Sequence, residues 1–298
     1  MEERTMRDRI SFALGFSLRA TLTVALAACL AGPATAAETY KEHFDHSYPL
    51  STGGTFTLRD VNGGVAVTTW DRNEIHVVAD KQVRAGNAEE GRRRLAELRI
   101  EVSQQPGTLR VDTRFPHHTG GFFGWLSGEG GGSAAVSYRI EVPRGARVDV
   151  ETVNGALSVA GTTGDLRAET TNGGVDVKGT KGGKIHLEST NGAISVVDTA
   201  GAVVAETTNG SIEVELKQVP KAEPMRFSTT NGHISLKVPH DIQASISAST
   251  TNGSVSTDLP VVARGKVTRR HLDADVNGGG GKLQLSTTNG GINITSLQ

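Results

Sequence analysis

The sequence predicts an all-β protein built as a parallel β-solenoid, with coils of about 18 to 22 residues and a β-rich region ahead of them. Three observations point there. First, Asn-Gly recurs in one setting at Asn154, Asn172, Asn191, Asn209, Asn231, Asn252 and Asn289, in steps of 18, 19, 18, 22, 21 and 37 residues. Second, the positions around each Asn alternate in character, as the side chains of a strand do. Six before it stand Val148, Leu166, Ile185, Val203, Met225, Ile246 and Leu283, and three after it Leu157, Val175, Ile194, Ile212, Ile234, Val255 and Ile292. The columns four before and five after are apolar as well, broken only by Thr257. Third, a hydroxyl stands two before every Asn, from Thr152 and Thr170 to Thr250 and Thr287, with the inward parity. A buried hydroxyl requires a partner, which a ladder or the corner backbone supplies.

Each copy therefore reads as two short strands meeting at Asn-Gly. Parity alone leaves two architectures open. In the solenoid each copy is one coil and equivalent residues stack. In an antiparallel meander each Asn-Gly is a two-residue hairpin turn. Near-identical columns favour the solenoid, because in-register parallel stacking lays like on like and lets Asn amides bond along the stack.

In chain order, residues 1–37 read as an export signal. Arg4, Arg7, Arg9 and Arg19 precede an apolar run from Ala20 to Ala31 and the small residues Ala34 to Ala37. That run is too short to favour a membrane span. Leu26 to Cys29 also resembles a bacterial lipobox, in which Cys29 becomes a lipidated first residue; membrane attachment is expected only on that route. Cys29 is the sole cysteine, so cleavage after Ala36 or Ala37 leaves no disulfide. Cleavage also removes four basic and three acidic residues from totals of 31 and 32, leaving 27 against 29. That balance argues against a nucleic-acid partner.

Residues 38–143 form the less regular region and are expected to cap the stack. Phe56 to Val67 keeps the repeat's columns around Asn62 and reads as a first rung. Glu74 to Val83 alternates like a strand, Asn87 to Leu98 reads as a short surface helix, and strands follow at 99–103, 108–113 and 134–142. Between the last two lies a glycine-rich loop carrying Phe122, Phe123, Trp125 and Leu126. It reads as a flap over one end of the stack or as an aromatic patch for a partner. Repeats fill 144–298, where 261–281 interrupts the period and is expected to replace or decorate one rung before the last copy.

No metalloprotease, redox, nucleophile-elbow or phosphate-loop motif is present, and the His residues are scattered. No catalytic residue, metal ligand or cofactor is predicted. The outward column three before the Asn reads Glu151, Glu169, Glu188, Glu206, then Ser228, Ser249 and Ser286. Stacked in register, four carboxylates repel unless cations offset them. Arg167, Lys178, Lys181 and Lys184 are the expected counter-charges, and the stripe is a candidate contact for a cation or a basic partner.

The stretch Phe56 to Asp71, with its NGGVAVTTWD, Val136 to Glu151, VSYRIEVPRGARVDVE, and the TTNG copies together resemble domain-of-unknown-function family 4097, also called the putative adhesin family. The resemblance implies a β-solenoid-like exported or envelope-associated protein with no established catalytic residues. The expected role is thus a non-enzymatic scaffold of the periplasm or cell surface, binding an unknown protein or glycan of the envelope. The rival is a polysaccharide lyase or hydrolase on the same scaffold. Mass spectrometry of the mature N-terminus tests the export reading: a chain starting at Ala37 or Glu38 is expected, whereas a lipid-modified Cys29 selects the anchored form.

Overall fold

The computed structural model describes residues 37–115, 134–221, 223–265 and 267–297. Cys29, Phe122, Phe123, Trp125 and Leu126 lie outside the described residues. The N-terminal region contains β1 (Glu38–Pro49), β2 (Thr55–Arg59), β3 (Val65–Trp70), β4 (Glu74–Ala85), α1 (Ala88–Glu97), β5 (Arg99–Gln105), β6 (Thr108–Arg114) and β7 (Ala134–Pro143). The repeats then give strand pairs flanking each corner: β8 (Arg147–Asn154) with β9 (Leu157–Ala160), β10 (Leu166–Asn172) with β11 (Val175–Lys178), and β12 (Lys184–Asn191) with β13 (Ile194–Thr199). They continue with β14 (Ala202–Asn209) and β15 (Ile212–Leu216), β16 (Met225–Asn231) and β17 (Ile234–Val238), and β18 (Ala244–Asn252) and β19 (Val255–Thr257). β20 (Val261–Ala263) and β21 (His271–Val276) precede the last pair, β22 (Gly281–Asn289) and β23 (Ile292–Ser296).

The strands before and after the corners fall into two sheets of 12 and 11 strands. Successive copies pair in parallel and in register: Leu166 lies opposite Val148 and Ile185, and Ala168 opposite Val150 and Leu187. This is the β-solenoid-like arrangement, and the antiparallel meander is absent from the corners. The inward columns of both sheets form one core in which Leu187, Val203, Ile212 and Leu285 are almost wholly buried. Each such side chain contributes about 1.5–3 kcal/mol on burial.

The stack does not follow chain order at either end. β2 lies between β6 and β8, and β3 between β7 and β9, so the Asn62 coil sits inside the coil formed by β6 and β7. At the other end β22 lies between β16 and β18, and β23 between β17 and β19. The C-terminal copy is therefore inserted beneath the Asn252 coil. Residues 261–281 replace no rung: β21 and β20 run antiparallel beyond β18 and cover its edge. At the N-terminal end β1 and β4 extend one sheet and β5 the other, with antiparallel pairing. α1 is capped by Asn87, whose side chain accepts the Glu90 N–H at 2.9 Å.

The corners explain the Asn-Gly dipeptide. A Cβ on Gly192 would stand 1.8 Å from the Gly173 carbonyl oxygen, and one on Gly210 2.0 Å from that of Gly192. Neighbouring coils approach too closely there for any side chain. That same carbonyl accepts the inward hydroxyl of the next coil: Ser189 bonds Gly173 at 2.9 Å, Thr207 Gly192 at 3.0 Å and Thr229 Gly210 at 2.9 Å. The Asn side chains form an outer ladder, each amide donating to its neighbour's oxygen at 2.7–2.9 Å in the stack order 154, 172, 191, 209, 231, 289, 252.

Chemical denaturation checks both corner contacts. Gly192→Ala is expected to destabilise by about 3 kcal/mol or more, because backbone must move. Thr207→Val should cost about 1–3 kcal/mol by stranding a polar group, while exposed Thr208→Val stays within about 0.5 kcal/mol.

Candidate functional site

The outer face of the 12-stranded sheet carries the groups singled out from sequence. Parallel register places Glu151, Glu169, Glu188 and Glu206 side by side, continuing through Ser228, Ser286 and Ser249. At about 4.8 Å per step, adjacent carboxylates are close enough to repel appreciably. Two arginines and a histidine interleave with them. Arg59, one strand beyond Glu151, reaches its Oε2 from Nε at 2.9 Å and grips both Asp149 oxygens at 3.1 and 2.9 Å. Arg167 pairs with Glu169. His186 Nε2 lies 3.7 Å from Glu169 Oε1 and 3.9 Å from Glu188 Oε2.

The expected counter-charges need correcting on this point. Arg167 alone of the four touches the stripe: Lys184 pairs with Glu223 at 3.0 Å, Lys178 belongs to the other sheet, and Lys181 lies in the turn between them. Arg59 takes their place as a cation, and the His186 ring lies between Glu169 and Glu188. Arg59 stands three before Asn62 and so in the Glu column, but that its coil lies directly beside the Glu151 coil is shown only by the lateral register. Glu169, His186 and Glu188 present ligand atoms within 4.8 Å of one another, a donor set of one imidazole and two carboxylates. Arg167 already occupies part of Glu169's charge.

Beside this stripe runs a second linear feature. Thr171, Thr190, Thr208, Thr230, Thr288 and Thr251 are exposed next to the exposed Asn ladder. Together they present a repeating hydroxyl and amide row across successive coils.

A buried polar group breaks the inward hydroxyl column. Asp60 stands two before Asn62, where every later copy has Thr or Ser, and it is 5% exposed. Neither of its carboxyl oxygens has a hydrogen-bond partner, and neither has Thr152 Oγ1 in the adjoining coil. On the other side Thr113 shares a 2.7 Å hydrogen bond with the buried Tyr138 hydroxyl. Burial pushes the Asp60 carboxyl up to about 7; the Thr113 hydroxyl and the N–H groups of Val61 and Asn62 pull it down without reaching hydrogen-bond geometry. Aligning the first copy on Asn62 was the available signal.

A family model described as Toastrack DUF4097 matches residues 132–295. No curated protein matches the chain. Among solved structures, a putative cell adhesion protein from Clostridium sporogenes is 9% identical, with 86% of this chain and 100% of that one covered and a TM-score of 0.31. A putative adhesin from Bacteroides fragilis is 10% identical over 86% and 97% of the two chains, also at 0.31. One from Parabacteroides merdae is 12% identical over the same shares, again at 0.31. Likeness at this level bears on neither activity nor partner. Among the described residues no helix is long and apolar enough to cross a membrane.

Asp60 gives stability a pH dependence of definite sign. Its folded value lies above the ordinary 3.8, so its contribution is fully present below about pH 4 and is lost as pH rises through about 7. The loss amounts to about 4 kcal/mol at most. Denaturation from pH 4 to 8 should show Asp60→Asn with a flatter profile than the parent and greater stability than the parent at pH 8; parallel profiles would contradict this.

Proposed function

The chain belongs to the Toastrack DUF4097 family, and on that premise we propose that it is a non-enzymatic, exported protein of the cell envelope, a rigid scaffold that binds an extended envelope polymer along its coils. The observation that carries this reading is the continuous row of exposed Thr and Asn beside the partly neutralised Glu column. Amides and hydroxyls repeating about every 4.8 Å offer the same hydrogen-bonding group many times over. A polymer with its own repeat engages several such groups at once, so contacts that are weak singly add along the row. Repetition is poorly suited to building one asymmetric catalytic centre, which needs unlike groups converging on one point. The polymer is a glycan or a polypeptide of the envelope, and the export signal at residues 1–37 delivers the scaffold to it.

A glycan array and a lyase assay on the purified protein test the reading together. Retention of an envelope glycan or protein without turnover is expected. Thr190→Arg/Thr208→Arg should weaken it by tenfold or more, about 1.4 kcal/mol. Release of unsaturated sugar products would replace the scaffold with a polysaccharide-active enzyme.

A further inference from the structure

The two sheets end in four open edges, and these differ greatly. β19 and β20 each offer three residues, and β5 offers seven. β1 offers 12, paired to β4 in unbroken register from Glu38 opposite Ala85 to Pro49 opposite Glu74. Among the described residues nothing pairs with its other side. Long, regular edges are templates for another strand, and proteins ordinarily blunt them with bulges, internal prolines or shortness. β1 has none of these along its length before Pro49, and the charged side chains by which edges are also blunted, Lys41, Glu42 and Asp45 here, include both signs.

The Leu50 N–H bonds the Asn73 carbonyl at 3.1 Å, which continues the β1–β4 register. Because hydrogen-bonded positions alternate, the even-numbered residues of β1 face β4. The N–H and C=O groups of Thr39, Lys41, His43, Asp45 and Ser47 therefore point to the open side. Side chains alternate as well. Tyr40, Phe44 and Tyr48 are half-buried against the core with Glu42 and His46 on the same side, and His43 and Asp45 lie on the opposite face.

The order of these side chains is self-complementary when read in opposite directions from Phe44. One step away stand His43 and Asp45, two steps away Glu42 and His46, four steps away Tyr40 and Tyr48. We propose that β1 pairs antiparallel with β1 of a second copy of this chain, about a two-fold axis through Phe44, joining two sheets into one. Each imidazole then faces a carboxylate of the other copy, His43 on Asp45 and His46 on Glu42, and Phe44 meets Phe44. Each aromatic end meets its counterpart, Tyr40 on Tyr48. Such a pairing is isologous, with every contact made twice, and its main-chain bonds are those of strand addition.

The neighbouring registers lack this fit. An axis at His43 brings the two His43 side chains together and sets Glu42 against Phe44, while one at Asp45 opposes two carboxylates. The axis at Phe44 also places Phe44, Glu42–His46 and Tyr40–Tyr48 at non-hydrogen-bonded positions, where facing side chains approach most closely. Within one copy, Asp80 at 2.8 Å from His43, His76 at 2.7 Å from Asp45 and Lys81 at 2.7 Å from Glu42 hold the strand's charged groups in place.

Sedimentation velocity on the full chain carrying Cys29→Ser tests the proposal, and a dimer is expected. In that background Phe44→Cys should link the copies by a disulfide under mild oxidation, since facing Cα atoms about 4.5 Å apart suit one. Tyr48→Cys should not, its two copies lying roughly 27 Å apart along the strand; Tyr40→Cys with Tyr48→Cys should link again. Ser47→Pro removes an open-side N–H while sparing the bonds to β4, and should halve the mass with the circular dichroism unchanged. A monomeric parent, a dimer that survives Ser47→Pro, or linkage at Tyr48→Cys equal to that at Phe44→Cys would overturn the pairing.

Discussion

At the corners from Gly155 to Gly290 one coil's glycine lies against the carbonyl of the glycine in the neighbouring coil, in space that a Cβ would fill, and Gly63 lies in the same way against the Val136 carbonyl. This contact sets the rest. It fixes the separation between coils at the point where the chain changes sheet, and so forces parallel register on the strands at both sides. Once register is fixed, aliphatic side chains must stack on aliphatic ones, the inward hydroxyl falls within reach of the neighbouring carbonyl, and each Asn amide meets the next. Main-chain bonds supply most of the directionality, and the buried columns supply most of the stability.

Much of this architecture is legible in the sequence, because its cause is local and repeated. The period, the columns and the inward Thr follow from parity at Asn154 to Asn289. The reason for the glycine does not. Asn-Gly between alternating apolar runs equally describes a hairpin turn, and only the approach of a second coil to Gly192 separates the two explanations. The order of coils is hidden for a related reason. Nothing in residues 281–296 distinguishes a copy added to the end from one inserted beneath the Asn252 coil, since every copy carries the same columns. Equivalence makes the repeat readable and the order of its members invisible.

The same limit governs the candidate site. That Glu151 to Glu206 form a stripe follows from period and parity, but the pairing of Glu151 with Arg59 and the approach of His186 to Glu169 depend on lateral neighbours 92 and 17 residues away respectively. Asp60 is the converse case: its column position was readable, yet its cost arises from burial without a hydrogen-bond partner, which only the packing of the neighbouring coils around it shows. The free edges are the short β19 and β20 at the C-terminal end, and β5 and the long, regular β1 at the N-terminal end. The ends of the stack are thus where the chain departs from repetition, and where its chemistry becomes individual.

The claim that equivalent residues lie directly over one another is tested most directly by side-chain amide contacts in solution. Nuclear Overhauser measurements on selectively labelled Asn should connect 172 to 154 and 191, and 289 to both 231 and 252, with no contact between 231 and 252. Amides that contact only their own turn, or a direct contact between Asn231 and Asn252, would contradict the stacked order.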